Sequence, residues 1–200
     1  MVSAMPRRAE TGLIVGRFDP PHLGHSYLID EAASRAGRLV VFVNSGPRDA
    51  APGSRRAGWL AELHPDVTVV EVVHDLSTDF GDEELWRQWI DLFRAKWPFE
   101  QGPDIVFSSD PYVDELARRL GAESVVVDSQ RLTVPVSAMM VRENPAAHLH
   151  RLAPPVRVGR GELALRPTRS AGARSGCTAS APSNRRGRSS SPRRRRPSRR

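Results

Sequence analysis

The sequence has 200 residues but a single cysteine, Cys177. One thiol excludes an intramolecular disulfide and a thiolate metal cluster, and fits a reducing, cytoplasmic setting. Long apolar runs are also missing. Nothing approaches the roughly 20 consecutive apolar residues of a membrane span, and the opening MVSAMPRRAE lacks the apolar stretch of a secretory signal. A soluble chain with no membrane partner is therefore expected. Lysine occurs once, at Lys96, and no GxxxxGK[ST] phosphate-cradling loop is present. Repeats with a period of roughly 20 to 50 residues are absent as well.

Acidic residues are scarce at the C-terminal end. The formal net charge of +7 suggests a nucleic-acid partner, but its location argues otherwise. From Val158 onward lie 13 of the 30 basic residues and only one of the 23 acidic ones, Glu162, so the rest of the chain is net acidic. Residues 158–200, rich in Arg, Ser and Pro, show no apolar periodicity and cannot bury enough surface to offset their ordering entropy. A disordered tail is expected there. A nucleic-acid-binding arm, a basic interaction segment, or an out-of-frame read of a GC-rich gene would each account for it, and nucleic-acid contact is the less favoured role.

What is abundant is alternation. Apolar, β-branched runs GLIV (12–15), LVVFVN (39–44), VTVVEVV (67–73), DIVFSS (104–109) and SVVVD (124–128) read as buried parallel strands. Between them, 24–36, 54–63, 83–97 and 111–120 have helical length and pattern, the last stopped by Gly121, and a final helix starts near Ser137. This pattern predicts an α/β fold, a doubly wound parallel sheet in one domain, with ligands at the carboxyl ends of the strands.

The loop after the first strand, GRFDPPHLGH, runs into the first helix. A helix start offers outward N–H groups to an anion, His22 and His25 add directional donors that can charge beside a phosphate, and Arg17 adds a permanent cation. Two other readings stand beside the phosphate one. Zinc would need further ligands, for which His64, His74 and Asp75 are the scattered candidates; alternatively the histidines are structural, satisfied by backbone groups.

Later segments place more polar residues at strand ends. Ser109 and Asp110 in FSSD meet a ribose or adenine, or Asp110 caps the next helix. Asp128 and Arg131 in VDSQR reach the ligand edge, or Arg131 pairs with a surface acid. Arg55 or Arg56 reaches a phosphate from the second helix. Arg142 is a phosphate ligand or an exposed helix cation. Trp86 and Trp89 share a helix face, as core residues or as a stacking surface for a flat cationic ring.

GRFDPPHLGH resembles the signature of the HxGH nucleotidylyltransferases, which share a Rossmann-like α/β fold and move a nucleotidyl group from a nucleoside triphosphate to a phosphate or hydroxyl, releasing pyrophosphate. Three further blocks, HPDVTVVEVVHD, PDIVFSSDPYVDELARRLGAESVVVDSQR and VSAMMVRENPAAHLHRLAPPVR, resemble in order and spacing the nicotinamide mononucleotide adenylyltransferase domain of NadR-type NAD biosynthesis proteins. The resemblance covers residues 11–157.

It implies ATP and nicotinamide mononucleotide as substrates, NAD and pyrophosphate as products, and Mg2+ accompanying ATP, with no dedicated protein metal site. His25 would steady charge at the α-phosphate and His22 would contact the phosphates, with Arg17 and Arg142 beside them. Gly16, Phe18, Gly24, Ser109, Asp128, Arg131 and Ser137 would surround ATP, and Trp86 or Trp89 would stack on the nicotinamide. VSAMMVR aligns with the family's ISGTxIR: Ser137 and Arg142 keep their places, whereas Ala138 replaces the usual glycine and Met139 the usual threonine, removing one hydroxyl contact. Pantetheine-phosphate, flavin or cytidylyl transfer is the alternative within the superfamily, and a weakly active or inactive nucleotide-binding remnant is another. NadR-type proteins usually continue into a P-loop ribosylnicotinamide kinase domain soon after the position of PPVR, and without that motif no kinase activity is expected.

Overall fold

The structure is a computed structural model and describes residues 8–78 and 81–158. The Arg-rich tail, with its expected disorder, and Cys177 lie outside the described residues. Five strands form one parallel sheet: β1 (Ala9–Gly16), β2 (Ala36–Ser45), β3 (Thr68–Val73), β4 (Ile105–Ser108) and β5 (Glu123–Val126), in the order β3-β2-β1-β4-β5. The helices between them are α1 (Leu23–Arg35), α2 (Gly53–Leu63), α3 (Glu83–Lys96) and α4 (Val113–Leu120). This is the Rossmann-like α/β arrangement expected from the alternating apolar runs.

Strand residues point alternately to the two faces, so a strand buried on both must be apolar throughout. Leu13 and Val15 of β1, with Val40, Phe42 and Val106, pack under Trp86, Trp89, Ile90 and Phe93 of α3 and Leu116 of α4. Ile14, Val41, Val43 and Phe107 point the other way, beneath Leu28, Ile29 and Ala32 of α1 and Leu60 of α2. Helices α1 and α2 thus cover one face and α3 and α4 the other. Asp82 starts α3 by accepting the Glu84 N–H at 2.8 Å, and α4 ends at Gly121 with φ 77°, the left-handed stop that glycine takes without a Cβ clash.

After β5 the chain turns back over the top of the sheet. Helix α5 (Ala138–Glu143) starts at Ser137, whose Oγ accepts the Met140 N–H at 3.2 Å. A 3-10 turn (Leu149–Arg151) and α6 (Pro154–Val158) follow. Val136, Val141, Leu152, Ala153 and Val156 join Ala51 and Trp59 in a third apolar cluster. A bridge between His22 and Leu152 ties this returning segment to the loop after β1. No described helix is long and apolar enough to cross a membrane.

Candidate active site

The strand order reverses at β1, which has β2 on one side and β4 on the other. In a doubly wound sheet the two outgoing loops diverge there and leave a crevice above the strand ends. A cleft of about 1010 Å³ lies at that position, lined from β1 by Gly16, Arg17, Phe18, Asp19, His22, Gly24 and His25, and from the other strand ends by Asn44, His74, Ser109, Asp128 and Arg131.

The two histidines cap each other. The His22 N–H donates to His25 Nδ1 and the His25 N–H to His22 Nδ1, each at 3.3 Å, a reciprocal capping box at the start of α1. A nitrogen that accepts carries no proton, so each ring holds its proton on Nε2 and is a neutral donor. The rings stack with centroids 3.6 Å apart and planes 17° from parallel, and Phe18 meets His25 edge-on at 4.8 Å. Gly24 eases this stack, because a Cβ there would press on the His22 ring at 3.2 Å. Burial, reinforced by the nearby Arg131 charge, pushes His22 down to about 4; burial, His22 and Arg131 together hold His25 well below its ordinary value.

This modifies the sequence-based picture in two ways. The backbone N–H groups of His22 and His25 are committed to the cap rather than presented to an anion, and in the unliganded cleft the imidazoles are neutral Nε2–H donors. A pH dependence follows. Between the ordinary pKa of 6.5 and about 4, the unfolded chain takes up a proton at His22 that the folded chain refuses, so stability must fall as pH falls through that window. Histidine ¹⁵N spectra at pH 7 should show both rings as neutral Nε2–H tautomers, and thermal melts should decline from pH 7 to pH about 4.5; an imidazolium at pH 7 or a constant melt would contradict the cap.

The positive groups differ in availability. Arg17 lines the cleft, but its guanidinium is ion-paired with Asp49. Arg142, from α5, donates to the backbone carbonyl of Asp19 and so clips α5 onto the histidine loop. Arg131, with φ 53°, stands 3.6 Å from Asp110 and 3.4 Å from the Val136 carbonyl, close enough for its charge to depress both histidines. Arg48, exposed at the mouth, is a further lining cation.

Other expected ligands are partly committed to the protein itself. Asp128 lines the cleft, but its carboxylate accepts the backbone N–H groups of Leu132 (2.8 Å), Thr133 and Val134 (3.2 Å each). Burial would raise its pKa; those N–H bonds prevail and hold it below the ordinary carboxylate value. Asp128 therefore shapes the 129–136 loop that carries Arg131. Ser137 caps α5 through its oxygen. Ser109, Ala138 and Met139 line the cleft, with Met139 60% exposed where the resemblance places a hydroxyl. Asp110 faces Arg131 and does not cap α4 with its side chain.

Trp86 and Trp89 line the cleft but are each only 4% exposed, packed within the α3 core. The Arg119 guanidinium covers Trp86 at 4.8 Å, while Trp89 donates Nε1–H to the Ser77 carbonyl at 2.9 Å and meets His74 edge-on at 4.4 Å. Of the two readings of this pair, core packing describes the unliganded protein, with both tryptophans also lining the cleft. His74 Nδ1 accepts the Leu76 N–H at 3.1 Å, giving a third Nε2–H donor on this side. Burial lowers its pKa; Asp49 and Asp75 push it up and Arg17 pushes it down.

Arg56 has an unexpected role. It is fully buried and donates to the carbonyls of Ala51 (3.0 Å), Asn44 (3.1 Å) and Arg17 and to the Asp49 carboxylate. One guanidinium thereby pins the loops after β1 and β2, and Asp49 passes the constraint to Arg17. Asp49 would be raised by burial, but the Gly46 N–H and the two arginines keep it below its ordinary value. Arg56, read from the sequence as a possible phosphate ligand, is thus spent on three backbone carbonyls and Asp49, while Asp19 and Asn44, which also line the cleft, carried no signal in the sequence. His64, a zinc candidate, faces Asp30 at 3.2 Å, and the described residues hold no group of three or more His, Cys, Asp or Glu able to share a metal.

A family model described as cytidylyltransferase-like matches residues 13–144, from β1 through α5. The chain belongs to the cytidylyltransferase-like family. The match spans both the histidine loop and the Arg142 block, the two segments that the fold brings together. Among individual relatives, the trifunctional NAD biosynthesis/regulator protein NadR of Escherichia coli (strain K12) is 26% identical over 159 residues, covering 70% of this chain and 38% of its own length. A probable nicotinate-nucleotide adenylyltransferase of Cereibacter sphaeroides (strain ATCC 17023) is 39% identical over 82 residues, covering 37% of this chain and 43% of its own. The chain therefore spans less than half the length of either. A crystal structure of NadR protein in complex with NR superposes with TM-score 0.54 at 22% identity over 72% of this chain and 43% of that one, a likeness of fold.

Proposed function

We propose that this cytidylyltransferase-like protein is an adenylyltransferase of NAD biosynthesis, transferring AMP from ATP to nicotinamide mononucleotide. The observation that supports this reading is the reciprocal histidine cap, which leaves Nε2–H as the free donor on each of two rings lining a cleft at the sheet's switch point, a cleft that Arg131 and Arg142 also line. Relatedness to NadR and to a nicotinate-nucleotide adenylyltransferase supports a pyridine nucleotide as acceptor.

In the reaction, an ionised phosphate oxygen of the acceptor attacks the α-phosphorus of ATP. A new P–O bond forms as the bond to the α,β-bridging oxygen breaks, and pyrophosphate leaves with that electron pair. The nucleophile is already deprotonated, so no general base is needed, and the chain's contribution is positioning and charge stabilisation. His22 and His25 donate from Nε2 to phosphate oxygens, His25 at the α-phosphate, without losing their protons. Arg131 and Arg142 offset negative charge on either side. The pyridine ring lies against the edges of the Trp86–Trp89 wall, beside His74.

Magnesium fits as an ion brought by ATP. Among the described residues no three His, Cys, Asp or Glu side chains group to hold a metal, so a magnesium ion would be held through the phosphates that His22, His25, Arg131 and Arg142 would fix. Its contribution when bound is to neutralise charge on the transferred and leaving groups.

The test is a matrix of ATP and CTP against nicotinamide mononucleotide, nicotinic acid mononucleotide, flavin mononucleotide and phosphopantetheine, with magnesium and the purified full chain. ATP with nicotinamide mononucleotide should give the highest kcat/KM, by about 10-fold or more, the size of one mismatched polar contact. Preference for another acceptor or for CTP would reassign the chain within its family.

A further inference from the structure

Among the described residues, four buried side-chain atoms have no hydrogen-bond partner: Asp19 Oδ1, Asn44 Oδ1, His64 Nε2 and His148 Nδ1. The first two belong to residues that line the cleft, and both are oxygens. Asp19 is 5% exposed; its carbonyl is taken by Arg142 and its Oδ2 by the Ala50 N–H at 3.0 Å, leaving Oδ1. Asn44 stands at the end of β2, its carbonyl taken by Arg56 at 3.1 Å, leaving its Oδ1 as the remaining acceptor. A buried acceptor without a donor is costly, so a site that keeps two of them is shaped for a ligand with donors.

Their place in the sheet narrows the choice of ligand. Asp19 follows β1, whose last residue Gly16 pairs with Val43, the neighbour of Asn44. The two oxygens therefore lie at the β1–β2 boundary. On one side is the histidine loop, and on the other are His74 and Trp89 at the β3 side of the cleft. Phosphates offer only acceptors there, and an aspartate repels them. Between the phosphate and the base of a nucleotide lies the ribose, with two vicinal hydroxyl donors. Resting on the adenylyl-transfer reading above, we infer that Asp19 Oδ1 and Asn44 Oδ1 accept the 2′- and 3′-hydroxyls of the acceptor nucleotide's ribose. Both residues then act on acceptor choice and position rather than on the reacting phosphorus.

The test compares nicotinamide mononucleotide with its 2′-deoxy and 3′-deoxy analogues, using the full chain, ATP and magnesium. Each analogue should lose about 10-fold or more in kcat/KM, most of it in KM, and the hydroxyl facing the charged Asp19 up to about 100-fold. Asn44→Ala should lower kcat/KM for nicotinamide mononucleotide but scarcely change it for one of the two deoxy analogues, because the lost partners are the same pair. Asp19→Asn, which keeps an acceptor for the Ala50 N–H, should do likewise for the other analogue, and melting curves verify that both variants fold. Equal use of the deoxy analogues overturns the inference alone and leaves water as the occupant. So does an Asp19→Asn defect abolished by raised magnesium, which would put the carboxylate on the metal. If no pyridine mononucleotide is adenylylated, the functional reading fails and the inference with it.

Discussion

Replacing His22 with asparagine is expected to lower kcat for adenylyl transfer about 100- to 1,000-fold, the usual loss when one donor to a reacting oxyanion is removed, while leaving the fold nearly as stable. Asparagine is a good helix N-cap, and its Oδ1 can take over from His22 Nδ1 in accepting the His25 N–H, so α1 keeps its start. What disappears is the Nε2–H donor that the proposed reaction uses. His22→Ala removes both functions and should cost a further ~1 kcal/mol of stability. Steady-state kinetics and urea denaturation of the two variants separate capping from chemistry. An asparagine variant with wild-type turnover would show that His22 is only a cap.

Replacing Arg56 with leucine is expected to destabilise the chain by about 3–5 kcal/mol, the range for removing one member of a buried ion pair. The side chain is fully buried, and its loss takes a donor from the Asn44, Ala51 and Arg17 carbonyls and the cation from Asp49 Oδ2, leaving that oxygen only the Gly46 N–H. Arg56→Lys supplies charge without the planar fork and should recover only part of that loss. Any Arg56→Leu protein that folds should also bind ATP more weakly, because Asp49 and Arg17 lose their anchor. Urea midpoints within about 1 kcal/mol of wild type, an ordinary surface-substitution effect, would mean that the loops after β1 and β2 hold without it.

The sheet was legible in sequence because its central strands β1, β2 and β4 are buried on both faces and so announce themselves as apolar runs, whereas the edge strands β3 and β5, read alike as buried, are partly exposed. LVVFVN fills both sides of β2, and GLIV both sides of β1. The histidine loop was legible because a strand, a glycine-containing turn and a helix start occur together. Less could be read where geometry depends on the return of distant chain. The third apolar cluster, which brings Leu152 to His22 and Arg142 to Asp19, has no periodic signature. The tautomers of His22 and His25 depend on a reciprocal backbone contact that no spacing encodes. Asp128 and Arg56 show the same limit: both were read as possible ligands, and the carboxylate takes backbone N–H groups while the arginine is buried among backbone carbonyls and Asp49.

The most direct measurement of the central claim is ³¹P NMR of the full chain incubated with ATP, magnesium and nicotinamide mononucleotide. The histidine cap is predicted to serve attack at the α-phosphorus, so the spectrum should show the paired resonances of a pyrophosphate-bridged dinucleotide growing in step with inorganic pyrophosphate. ADP with orthophosphate, or unchanged substrates while the protein remains folded, would contradict it.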